Sequence, residues 1–91
     1  MAESKTVTEL LQEHRAALTE RLRENLRRLQ GESSDRRMAE IIGAKHGTTW
    51  KRRLERPETL TVDEALRLCE AFCVEPDGLF EAEIRIGRPN R

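Results

Sequence analysis

Residues 7–29 carry Val7, Leu11, Leu18, Leu22, Leu26 and Leu29 at steps of three, four or seven, the recurrence that lines one face of an α-helix. At 1.5 Å per residue an unbroken helix here is roughly 33 Å long, more than a small domain needs. Its second half is therefore expected in the core. Its first half then frays, extends alone, or packs against a second copy. Thr6 or Thr8 can cap the start, and Gly31 closes the end.

After that helix the chain is cut into short pieces. Gly31-Glu32-Ser33-Ser34 reads as a turn whose last serine caps a helix over 35–42, with Met38, Ile41 and Ile42 on its apolar face and Gly43 ending it. Ala39 is small enough to let a neighbouring helix come close. The run from Gly43 to Thr48 is a tight connection, with Thr48 the cap of a third helix that reaches about Arg56, where Pro57 stops it. Trp50 and Leu54 share a face of that helix, and Trp50 reads as core. Thr61-Val62-Asp63-Glu64 is a capping box, opening a fourth helix with the stripe Ala65, Leu66, Cys69, Phe72 and Cys73. Pro76 suits the first position of a short fifth helix that buries Leu79 and Phe80. Strand-like runs are absent, so the expectation is an all-α domain. With 91 residues there is room for one core. The chain divides into an N-terminal helical extension (1–17), a domain (18–83) and a basic tail (84–91).

The formal charge is zero but unevenly spread. Residues 21–30 carry a net +3, 36–56 a net +5, 57–83 a net −7 and 84–91 a net +3. A molecule polarised in this way can hold phosphates on its basic block while the acidic side faces solvent. No stretch reads as a membrane span or a signal peptide. Cys69 and Cys73 sit one helical turn apart in an apolar pattern and read as small buried hydrophobes. His14 and His46 lack the spacing of zinc ligands, so no metal or cofactor is expected, and a reducing cytoplasm fits best. No catalytic triad, nucleotide-binding glycine loop or metal cluster is present, which argues against an enzyme.

Two short helices, a glycine turn and a basic second helix meet the demands of a helix-turn-helix. Turning the third helix by 100° per residue from Trp50 points Thr48, Thr49, Arg52 and Arg56 away from the Trp50–Leu54 stripe, with Lys51 and Arg53 on the flanks. Arginine can bond guanine O6 and N7 together and threonine can meet a thymine methyl, so Thr48, Thr49 and Arg52 are the expected base contacts. Ser34, Arg37, Lys45, Lys51, Arg53 and Arg56 suit phosphates, which set register without reading sequence. Arg23, Arg27 and Arg28 either reach the DNA backbone or are simply solvated.

These residues carry a resemblance. Ser34, Met38-Ala39, Gly43, Leu54-Glu55, Pro57, Leu60, Leu66 and Cys69, closing on Val74, Asp77, Leu79 and Phe80, stand in the order and spacing of the Cro and phage-repressor type (Xre) helix-turn-helix family over residues 25–81. The turn from Gly43 to Gly47 is longer than the family's by one or two residues. The resemblance implies a five-helix, lambda-repressor-like fold, a recognition helix at about 48–56, and homodimers on palindromic double-stranded operators. The tail's Gly87-Arg88-Pro89 is similar to the core of an AT-hook, with Ile86 where the hook has an arginine; it implies a minor-groove role for Arg85, Arg88 and Arg91. The function expected is a sequence-specific transcription regulator of the phage or bacterial repressor kind, without a small-molecule ligand. The alternative is a protein-interaction module such as an antitoxin or antirepressor, using the long first helix and the acidic 57–83 surface.

Overall fold

The first helix, α1, runs Val7–Gln30 and begins where Thr6 Oγ1 accepts a hydrogen bond from the Glu9 N–H at 3.2 Å. The computed structural model describes residues 6–81, 84 and 86. Gly31, at φ +51°, lets the chain leave the helix while its N–H still bonds the Arg27 carbonyl. Along α1 the residues are exposed up to Ala17; half-burial starts at Leu18, and Leu22, Asn25, Leu26 and Leu29 are buried. The first half therefore projects from the body, and the molecule as a whole measures 56 Å along its longest axis and 31 Å along the next.

Three further helices pack beside the second half: α2 (Asp35–Ile41), α3 (Gly47–Glu55) and α4 (Val62–Phe72). Two short 3-10 helices, Pro57–Thr59 and Pro76–Phe80, come after α3 and α4. No strand occurs among the described residues, so the all-α expectation holds. The fifth helix expected at Pro76 is a five-residue 3-10 helix rather than an α-helix. It buries Leu79, while Phe80 stays 43% exposed.

Each junction has a local cause. Ser34 Oγ accepts from the Arg37 N–H at 3.1 Å and starts α2. Its end is a Schellman turn: the Ala44 N–H bonds Ala39 O at 2.8 Å and the Gly43 N–H bonds Glu40 O at 3.1 Å, with Gly43 at φ +82°. Thr61 and Glu64 form the reciprocal capping box of α4. That helix ends on Cys73, held at φ +55° in the left-handed region without being a glycine.

The core gathers Leu22, Leu26 and Leu29 of α1, Met38, Ala39 and Ile42 around α2, Trp50 of α3, Leu68 and Cys69 of α4, and Val74, Leu79 and Ile84 beyond. Three expectations change here. Leu68, fully buried, takes the place that the pattern assigns to Leu66, which is 45% exposed; α4 presents Ala65, Leu68, Cys69 and Phe72 inward. Cys73 is exposed, because a residue at the left-handed cap has already left the helical face. Ile84, assigned to the tail, is a core residue.

Asn25, the one buried polar side chain among the described residues, fastens this last segment. Its amide Nδ2 donates to Leu79 O at 2.7 Å and to Glu81 O at 2.9 Å. Two carbonyls at the end of the second 3-10 helix and just beyond it, the buried one of Leu79 and that of Glu81, are satisfied by one group.

Candidate nucleic-acid interface

Between α2 and α3 lie five residues, Ile42–His46. The third helix starts at Gly47, with His46 in the cap position and making no side-chain cap bond, not at Thr48 as expected. Gly47 explains the earlier start. A Cβ placed there would lie 3.2 Å from the Arg36 backbone N and 3.4 Å from the Asp35 carbonyl carbon, so glycine lets the start of α3 sit against the start of α2, where a side chain would push the neighbouring backbone back by a few tenths of an ångström. Thr48 is thereby released from capping, and its side chain is exposed.

Trp50, fully buried, anchors α3 from inside, in the same core as Met38, Ala39 and Ile42, with Leu54 packed against it half-buried. Its indole Nε1 donates to Gln30 Oε1 at 2.9 Å, while Gln30 Nε2 donates to Ser33 O at 2.9 Å and to Asp35 Oδ1 at 2.8 Å. At the other end, Arg23 Nε donates to Leu54 O at 2.8 Å and its Nη2 to Glu55 O at 2.9 Å; the guanidinium also pairs with Glu20. Terminal carbonyls of a helix lack partners within it and carry its partial negative charge, so a guanidinium there both satisfies and neutralises them. Neither Gln30 nor Arg23 is marked by its sequence neighbourhood as an α3 contact.

Held from both ends, α3 turns Thr48, Lys51, Arg52 and Glu55 to solvent, at the steps of one helical face. Lys51 stays on the flank of that face, as expected, and is exposed. Thr49 is half-buried, and Arg53 is directed inward. Arg53 is the clear correction: its Nε donates to Glu64 Oε1 at 2.8 Å and its Nη2 to Glu64 Oε2 at 3.1 Å, so the forked guanidinium expected on a phosphate is committed to α4. Arg56 remains exposed and pairs with Glu58 at 3.4 Å. Ser34, Arg37 and Lys45 are exposed, with Arg37 3.9 Å from Glu40. Arg36, Lys45, Lys51 and Arg52 make no ion pair among the described residues. Arg85, Arg88 and Arg91, together with the AT-hook-like stretch, lie outside the described residues.

Burial pushes the Glu64 carboxyl upward, but the Arg53 guanidinium and the Thr61 N–H, which bonds Oε1 at 3.0 Å, outweigh it and hold the carboxyl below its ordinary 4.5. A depressed folded value means that the carboxylate's stabilisation is complete above about pH 4.5 and fades as pH falls through the lower folded value. Glu64→Gln is expected to cost about 1–2 kcal/mol at pH 7 and much less at pH 2, read from urea midpoints at both pH values. An equal cost at both would remove the ion pair from the stability of the α3–α4 junction.

Cys69 has its thiol raised by burial and by the Glu75 charge, which keeps it protonated and a poor nucleophile. Among the described residues no three His, Cys, Asp or Glu gather as a metal would need, and no helix is long and apolar enough to cross a membrane. No family model, curated protein or solved structure matches the chain.

Proposed function

We propose that this protein is a sequence-specific double-stranded DNA-binding regulator of transcription, a repressor of the Cro-like helix-turn-helix kind acting in the cytoplasm, with α3 as the reading helix. One observation carries the reading: α3 is fixed by Trp50, Gln30 and Arg23 so that Thr48, Lys51 and Arg52 stand out together, in a basic stretch whose Arg36, Lys45, Lys51 and Arg52 find no carboxylate partner among the described residues. Unpaired cations beside a projecting helix suit the closely spaced charges of a phosphate backbone. Arg52 and Thr48 read base edges. Lys51, Lys45, Arg36 and Arg37 hold phosphates, with Ser34 at the mouth of α2; Arg53 takes no part. A chain acting in this way regulates by occupying its site.

Selection of bound sequences from a random duplex pool tests the proposal. The expected result is a defined motif. Arg52→Ala should then cost about 1–3 kcal/mol on that motif and flatten the preference at one or two positions, whereas Lys51→Ala should weaken every sequence alike and reduce the salt dependence by about one charge. Absence of retention at low salt would overturn the proposal and favour a protein-interaction module, a reading supported by the apolar residues exposed on the projecting half of α1.

A further inference from the structure

Between the second half of α1, α4 and the last 3-10 helix lies a groove that the core leaves open. Leu22, Leu60, Val62, Leu66, Leu79 and Phe80 line it, and its volume is about 280 Å³. An apolar cavity of roughly 150 Å³ takes one benzene, so this one has room for two large side chains next to each other. Its walls reach the surface: Val62 is 77% exposed, Leu66 45% and Phe80 43%. Apolar side chains gathered around a concavity mark a docking surface, whereas the same residues scattered singly would not.

The rim is acidic. Asp77 is the one charged residue among those lining the groove. The Cys69 thiol, raised by burial and then by the Glu75 charge, lines the groove too, which puts the Glu75 carboxylate within electrostatic reach of it. Glu81 follows Phe80 directly and is exposed. Glu75, Asp77 and Glu81 make no ion pair among the described residues. Asp63 and Glu64, by contrast, are held by Arg67 and Arg53. An apolar floor thus lies beside negative charge that the fold does not neutralise, in the 57–83 segment of net charge −7.

We infer that the groove receives a basic amphipathic helix of another protein, its apolar side chains seated among Val62, Leu66 and Phe80 and its flanking lysines or arginines meeting Glu75, Asp77 and Glu81. A helix fits because its side chains at i and i+4 stand roughly 6 Å apart on one face. Its backbone also satisfies itself, whereas an extended segment would press unpaired N–H and C=O groups against an apolar wall. Charge selects against a second copy of this chain. The exposed apolar ridge of α1, Val7, Leu10 and Leu11, belongs to a stretch, 7–20, in which Glu9, Glu13 and Glu20 outnumber Arg15, and an acidic rim repels it. Nor can the ridge fold back: α1 is unbroken and carries Leu11 roughly 16 Å from Leu22 along its axis. The chain's own basic tail offers one large aliphatic side chain beyond Ile84, and that residue, Ile86, is 47% exposed.

This docking is independent of the DNA-binding reading, and its test contains no DNA. The probe is a synthetic peptide of roughly 14 residues, stapled on its outer face to hold the helix, with leucines at i, i+4 and i+7 and lysines flanking them. Fluorescence anisotropy of the labelled peptide, titrated with the full chain, is expected to give a micromolar Kd. A peptide with glutamate for each lysine should bind about tenfold more weakly, and so should one of unchanged composition with its leucines dispersed around the helix. Leu66→Ala should weaken the lysine peptide by about tenfold. Asp77→Asn should narrow the gap between the lysine and glutamate peptides. If Leu66→Ala loses helix by far-UV circular dichroism, Val62→Ala takes its place. No binding of the lysine peptide overturns the inference. So does equal binding of the glutamate or dispersed peptide, or a groove variant that binds as wild type does. A self-associated chain from which the peptide is excluded, seen by sedimentation equilibrium, overturns it as well, because a second copy would then fill the groove.

Discussion

Trp50→Ala is expected to leave the protein largely unfolded in mild denaturant, losing about 3–5 kcal/mol. A domain of this length has roughly 5–13 kcal/mol in total, so the urea midpoint should fall by about a quarter or more. The loss is large because the indole is fully buried where α1, α2 and α3 meet, and nothing beside it can collapse into the space without moving a helix. Trp50→Phe separates the two parts of the effect. It keeps most of the apolar contact and removes the Nε1 bond to Gln30, so it should cost about 1–2 kcal/mol. A midpoint for Trp50→Ala within experimental scatter of wild type would show that the helices are held apart from this residue.

Asn25→Leu should cost about 2–4 kcal/mol, although it replaces a polar side chain in a core by an apolar one of similar size. The reason lies in the carbonyls of Leu79 and Glu81, which lose their side-chain donor, and chiefly in that of Leu79, which is buried where water has poor access. Asn25→Asp should be worse at pH 7, because a carboxylate would face two carbonyl oxygens, and should partly recover in acid, where a protonated carboxyl can donate again. Amide exchange over residues 76–84 should speed up in both variants before the helices open. An Asn25→Leu protein as stable as wild type would show that these carbonyls find other partners, and that the latch is dispensable.

Much of the helical order is legible from local chemistry. Thr6, Ser34 and Thr61 mark helix starts because a side-chain oxygen meets an N–H two or three residues on, a contact that needs no tertiary partner. Gly31 and Gly43 mark ends because the backbone there turns to positive φ. The misreadings occur where distant chain decides. In α4, Leu66 and Leu68 are both compatible with an apolar stripe, and only the position of the core selects Leu68. Arg23 and Arg53 look like any helix-surface arginines until Leu54, Glu55 and Glu64 arrive from 11 or more residues away to claim them. Thr48 looks like a better cap than His46, and loses because Gly47 allows close approach to α2. For the candidate interface, the exposed Thr48, Lys51 and Arg52 are foreseeable from the helical period about Trp50, whereas the withdrawal of Arg53 is not.

The amide of Gln30 has a consequence for how this chain can drift. Its oxygen receives the indole proton while its nitrogen gives protons to Ser33 and Asp35, so the site needs an acceptor and a donor on one side chain of this reach. Glutamate would set a carboxylate against Asp35, and lysine would turn a donor towards a donor. Among descendants of this sequence, positions 30 and 50 should therefore co-vary: glutamine persists as long as tryptophan does, and is freed to change once the indole is gone.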